Sequence, residues 1–104
     1  SKLINKPLQL PESYSSLHLY PIQVAEKIRK KIFNELRKRG IGVQVHYIPI
    51  HTHPFYKNFG FMESDFPNSV SYYKRSISLP LYAGLDFELQ DEVINVVNET
   101  LDEI

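Results

Sequence analysis

The sequence predicts an α+β domain: a small three- to four-stranded, mainly antiparallel sheet with helices packed on one face. Three observations lead there. Two long stretches place apolar residues at helical spacing, short apolar–polar alternations lie before and between them, and prolines or glycines mark nearly every joint. The resulting order is strand, helix, strand, loop with a short helix, strand, helix.

Residues 1–13 show no sustained period and carry Pro7 and Pro11, which reads as a segment draped over a surface. From Tyr14 to Tyr20, Leu17 and Leu19 alternate with Ser16, His18 and Tyr20, the pattern of a half-buried strand that Pro21 should end. Val24, Ile28, Ile32, Phe33 and Leu36 then recur at helical spacing through Arg39, and Gly40 supplies the residue type that stops a helix in the left-handed conformation. The exposed face of that helix is expected to hold Lys27, Arg29, Lys30, Lys31, Arg37, Lys38 and Arg39 against Glu26 and Glu35. Gly42 to Ile48 reads as a second strand, with Val43, Val45 and Tyr47 on one face and Gln44, His46 and Ile48 on the other. Pro49 and Pro54 turn it into a loop through His51, His53, Phe55 and Tyr56. Asp65 is placed to cap a short helix that starts with Pro67 in its first turn and runs to Arg75. Ser76 to Leu79 is a third strand. After a turn, Asp86 caps a last helix whose buried stripe is Leu89, Val93, Val96, Val97 and Leu101, and whose charges are all acidic.

Composition bounds the function. The chain has 104 residues, 42% of them hydrophobic, with seven Tyr and six Phe, enough for one core and one domain. Twelve basic residues balance twelve acidic ones, so net charge recruits neither nucleic acid nor an anionic membrane, and the two charge runs read as solvated faces. Without cysteine there is no disulfide framework or thiol nucleophile, which fits a reducing cytoplasm. No apolar run approaches the length of a membrane span. The chain opens on Ser1 rather than Met, which suggests an excised fragment or a processed product.

Residues 40–56 concentrate the chemistry, with three of the four histidines, two tyrosines and two prolines. His46, His51 and His53 could meet at a metal, but no acidic residue is nearby in sequence and the prolines serve no such site, so none is expected. As acids or bases they lack a neighbouring nucleophile whose spacing would mark a pair. Spacing alone makes His46 and Tyr47 ordinary strand residues, and His51 and His53 loop residues. Lys57 and Lys74 have no evident apolar pocket to activate them for imine chemistry. Glu63 and Asp65 form no convincing catalytic pair, and no glycine-rich phosphate loop is present.

The run Phe33-x-x-Leu36-x-x-x-Gly40-Ile41-Gly42-x-Gln44-Val45-His46-Tyr47-x-Pro49-x-His51-x-x-Pro54-x-Tyr56 resembles the carboxyl-terminal small domain of the DegT/DnrJ/EryC1/StrS family of sugar aminotransferases. Phe66-Pro67-Asn68, Ser78-Leu79-Pro80-Leu81-Tyr82, Pro7-Leu8-Gln9-Leu10-Pro11 and Ser16-Leu17-His18-Leu19-Tyr20 agree with it in the same order. Within the family the likeness is greatest to enzymes that aminate C4 of UDP-4-keto-6-deoxy-HexNAc sugars on the route to pseudaminic acid. The resemblance implies a fold type I architecture, pyridoxal 5′-phosphate as cofactor of a longer parent, glutamate and a nucleotide-linked keto sugar as substrates, and a homodimer. It implies that residues 1–13 lead in from a large domain and that 14–104 form the small domain. Matching motif positions make Gln44, His46, Tyr47 and His51 candidates for lining the sugar-nucleotide site by binding rather than catalysis. The cofactor lysine motif is absent: Ser16-Leu17-His18 continues with Leu19, Tyr20 and Pro21. The chain alone is therefore expected to bind no cofactor productively. Two other readings stand beside this one, a stand-alone ligand-binding or regulatory α+β domain and a nucleic-acid module built on the basic helix.

Overall fold

A computed structural model describes residues 2–104. Its sheet has two strands, β1 (Tyr20–Gln23) and β2 (Ser76–Leu79), paired antiparallel with Ile22 opposite Ile77 and Tyr20 opposite Leu79. One-residue bridges extend it at both edges, Asn5 to Gln23 and Gln44 to Ser78. Helices α1 (Glu26–Lys38), α2 (Pro54–Lys57), α3 (Pro67–Arg75) and α4 (Phe87–Asp102) complete the α+β domain.

Pairing along β2 divides the sheet into two chemically different faces. Strand period two puts Tyr20, Ile22, Ile77 and Leu79 on one side and Ser76 and Ser78 on the other. The apolar side joins Ile32 and Leu36 of α1 and Val97 and Leu101 of α4 in a core that also takes in Val24, Ile41 and Val43. Burying such side chains stabilises the fold by about 1.5–3 kcal/mol each. The serine side faces the segment that carries the candidate site.

The fold corrects the expected strands. The first begins at Tyr20, not Tyr14, and runs through Pro21 instead of ending there. Gln23 spends its N–H and C=O on Asn5, so Pro21, two residues earlier, points its missing donor to that same outer edge and costs the pairing with β2 nothing. The strand expected over 42–48 shrinks to the bridge at Gln44, which exchanges both backbone bonds with Ser78. Continuing that register would pair Gly42 with Pro80, which has no N–H, and His46 with Ser76, whose carbonyl is taken by the Arg29 guanidinium at 3.4 Å. The ladder is blocked on both sides.

Helix α1 ends as its sequence dictates. Gly40 has φ +84°, Ile41 N–H donates to Leu36 O at 2.9 Å and Gly40 N–H to Arg37 O at 3.1 Å, a Schellman motif closed by two core residues, Leu36 and Ile41. Its basic face is less solvated than expected. Arg29 lies over Tyr73, Arg37 lies over Phe33 and donates to Val43 O at 3.0 Å, and Arg39 pairs with Glu103 just past the end of α4. Lys27, Lys30, Lys31 and Lys38 remain exposed, and Arg37 does too despite its bond. Asp65 does not cap α3. Its carboxylate instead accepts from Met62 N–H at 2.8 Å and closes the 3-10 turn Glu63–Asp65, leaving Phe66 at the helix start. Asp86 does cap α4, accepting from Leu89 N–H at 2.8 Å. In α4, Leu89 is exposed and Thr100, whose hydroxyl donates back to Val96 O, is buried in its stead.

Candidate functional site

Ile41 and Val43 anchor the start of the histidine-rich segment in the core, and the Gln44–Ser78 bridge pins it to the edge of β2. Beyond that bridge the three histidines are each held by a different local bond. His46 is half-buried, with Nδ1 2.9 Å from the Ser78 hydroxyl. Tyr47 is 68% exposed and sets its ring edge-to-face against His46, with centroids 4.6 Å apart. The peptide joining the two is cis.

Pro49 opens a 3-10 turn, Ile50–Thr52, whose Thr52 hydroxyl donates back to Pro49 O at 2.6 Å. This turn directs His51 inward. At 6% exposure His51 is the most buried histidine of the segment; its Nε2 lies 3.2 Å from Glu63 O and its ring packs edge-on to Phe66 at 4.8 Å. A carbonyl only accepts, so Nε2 of His51 carries the hydrogen. The same argument applies to His53, whose Nε2–H donates to Ile48 O at 3.2 Å as the chain enters α2. Past it, Phe55, Tyr56 and Phe59 form an aromatic cluster, with Phe55 and Phe59 largely exposed.

The four sequence-predicted residues thus separate into two groups. Gln44, His46 and Tyr47 share one short stretch on the serine edge of the sheet, and His51 lies inward, binding the loop to the 63–66 turn. Sequence reasoning missed Ser78, which ties the first group to the sheet. Its signal was present in Ser76-x-Ser78, two small polar residues on the face opposite Ile77 and Leu79. Among the described residues no group of three or more His, Cys, Asp or Glu is arranged to hold a metal. A separate, apolar cavity of about 390 Å³ opens away from this segment, between Ile4, Tyr20, Leu79 and the Val93 and Val97 side of α4.

The family model of the DegT/DnrJ/EryC1/StrS aminotransferases matches residues 3–98, nearly the whole chain. The chain belongs to that family. It is 46% identical over 88 residues to the spore coat polysaccharide biosynthesis protein SpsC of Bacillus subtilis, covering 79% of this chain and 23% of that protein. It is 36% identical over 91 residues to the UDP-4-amino-4,6-dideoxy-N-acetyl-beta-L-altrosamine transaminase of Helicobacter pylori, covering 85% of this chain and 24% of that one. The sugar aminotransferase Spr1654 of Streptococcus pneumoniae, solved in a pyridoxal-phosphate form, superposes with a TM-score of 0.87 at 31% identity over 97% of this chain and 27% of that one. The chain spans about a quarter of the length of these relatives. No helix among the described residues is long and apolar enough to cross a membrane.

Neither Lys57 nor Lys74 is set to hold pyridoxal phosphate as an imine. The group needs a free amine for its imine, an acid for its ring nitrogen and donors for its phosphate. Lys74 is committed to Glu63 at 3.4 Å and Glu26 at 3.8 Å, and Lys57 is exposed at the end of α2. The glycines form no phosphate loop: Gly40 closes a helix, Gly42 leads into the bridge at Gln44, and Gly60 and Gly84 stand apart.

Proposed function

We propose that this chain is the carboxyl-terminal domain of a pyridoxal-phosphate-dependent aminotransferase that moves an amino group from glutamate to C4 of a nucleotide-linked keto-deoxy sugar, a precursor of surface polysaccharide or glycan. The parent enzyme would act in the cytoplasm as a homodimer. The observation that carries this reading is the family match across residues 3–98, supported by relatives whose names specify a sugar transaminase and polysaccharide biosynthesis.

In this reading Gln44, His46 and Tyr47 line one wall of the sugar-nucleotide cleft, and His51 keeps that wall in place from behind. Their work is binding and orientation. Tyr47 offers an exposed ring already oriented against His46, and a wall held stiffly by Pro49 and by bonds to carbonyls loses less entropy when substrate arrives. Imine chemistry belongs to the remainder of the parent, so the chain alone neither binds the cofactor productively nor turns over substrate.

Two measurements test the reading. In the full-length enzyme, Tyr47→Ala is expected to raise KM for a UDP-4-keto-6-deoxy-HexNAc about tenfold while kcat changes less, the signature of lost uniform binding. An unchanged KM would remove Tyr47 from the wall. Adding pyridoxal phosphate to the 104-residue chain should leave its absorbance spectrum unshifted; a shift abolished by a single Lys substitution would contradict the placement of the chemistry elsewhere.

A further inference from the structure

Among the described residues Ser78 makes every hydrogen bond that joins β2 to the site-bearing segment. Its N–H donates to Gln44 O at 2.7 Å, its C=O accepts from Gln44 N–H at 3.1 Å, and its hydroxyl lies 2.9 Å from Nδ1 of His46. Ser78 is only 4% exposed. Among the described residues its hydroxyl has no second hydrogen-bond partner, and none is found for Nε2 of His46.

These facts decide the direction of the bond. Were Nδ1 to carry the hydrogen, the buried hydroxyl proton of Ser78 would have no acceptor, an arrangement that buried polar groups avoid. With Ser78 donating, both atoms are satisfied and the imidazole hydrogen sits on Nε2. That nitrogen is on the opposite edge of the ring from Ser78, so it is turned away from the sheet.

We propose that Ser78 is a positioning residue for the substrate: by donating to Nδ1 it holds His46 as the Nε2–H tautomer, with that N–H presented to an oxygen of the nucleotide sugar. Tyr47 is oriented by the same bond, since its ring rests edge-on against the imidazole Ser78 holds. Ser78 itself, buried beneath His46, does not meet the substrate. The inference rests on the cleft reading above and names how that wall gains its donor.

The test is a double-mutant cycle in the full-length enzyme loaded with pyridoxal phosphate, reading kcat and KM for a UDP-4-keto-6-deoxy-HexNAc at saturating glutamate. Ser78→Ala is expected to raise KM about fivefold, the effect of one net hydrogen bond, with kcat within twofold. His46→Ala should raise it about tenfold, and adding Ser78→Ala to His46→Ala should change nothing further. Ser78→Cys keeps the volume and a weaker donor, should fall between Ser and Ala, and carries the test should the alanine variant not fold. UDP as a competitive inhibitor locates the acceptor: weakening in Ser78→Ala that matches the change in KM puts it on the diphosphate, and unchanged UDP inhibition puts it on the sugar. If Ser78→Ala raises KM by the same factor with or without His46, Ser78 does not act through the histidine and the proposal is overturned. If His46→Ala raises KM and neither Ser78 variant does, the positioning role alone fails. If His46→Ala leaves KM unchanged, the cleft reading fails together with it.

Discussion

The two faces of β2 are held by different physics. On the Ile77 and Leu79 side, side chains from β1, α1 and α4 exclude water, and Ile32, Leu36 and Ile77 reach 0% exposure. On the Ser76 and Ser78 side the segment from Gln44 to His53 is held mainly by single hydrogen bonds, most of them to backbone carbonyls, and it leaves Tyr47, Ile48 and Ile50 exposed. Packing on the first side is non-directional and adds up over many contacts. Bonds on the second are directional, so each sets the angle of one ring. The domain therefore separates the work of staying folded from the work of presenting a surface, and the two sides should respond differently to substitution.

Leu36→Ala is expected to show the largest effect, a loss of about 2–5 kcal/mol in denaturant unfolding, because the side chain is wholly enclosed and its removal leaves a cavity. A loss below 1 kcal/mol would mean that the core side is not close-packed. His51→Ala comes next, at about 1–3 kcal/mol, since it leaves the Glu63 carbonyl without its buried donor and strips the edge contact from Phe66. Protection of the 50–66 amides in hydrogen exchange should fall more than that of β2; uniform loss across both would erase the distinction between the two sides. Gly40→Ala follows, at about 1 kcal/mol by thermal unfolding. No atom stands within 4 Å of the added Cβ, so the cost is that of a side chain at φ +84° alone. Gly42→Ala, equally open and free of that constraint, should be near neutral, and equal losses at both glycines would refute the helix-stop argument.

Much of the fold was legible because it rests on local rules. The α1 stripe with its Gly40 stop, the Pro67–Arg75 helix, the Ser76–Leu79 strand and the Asp86 cap each depend on residues within a few positions of one another. Errors fell where a distant partner decides. Asp65 can cap a helix or close a turn, and the position of the Met62 amide selected the turn. Alternation in Gly42–Ile48 describes a strand, but a strand exists only if its neighbour has free donors and acceptors, and Pro80 and Arg29 left β2 with one pair to offer. Arg29, Arg37 and Arg39 looked solvated because their carbonyl, aromatic and carboxylate partners lie elsewhere in the fold or are revealed only by it. For the candidate site, spacing read these positions as ordinary strand and loop residues, and only the resemblance to the family motif singled out Gln44, His46, Tyr47 and His51, without separating a histidine turned inward from one held at the edge.

Sequence alone therefore determined α1 with its Gly40 stop, α3, α4 with its Asp86 cap, the Ser76–Leu79 strand and the family, since these follow from spacing, cap chemistry and motif order within the chain. Only the tertiary structure decided how far the sheet extends, which basic residues are fasteners, and that Ser78 sits beneath His46. Those depend on groups far apart in sequence competing for one donor, acceptor or buried volume, and that competition is settled only when the chain is folded.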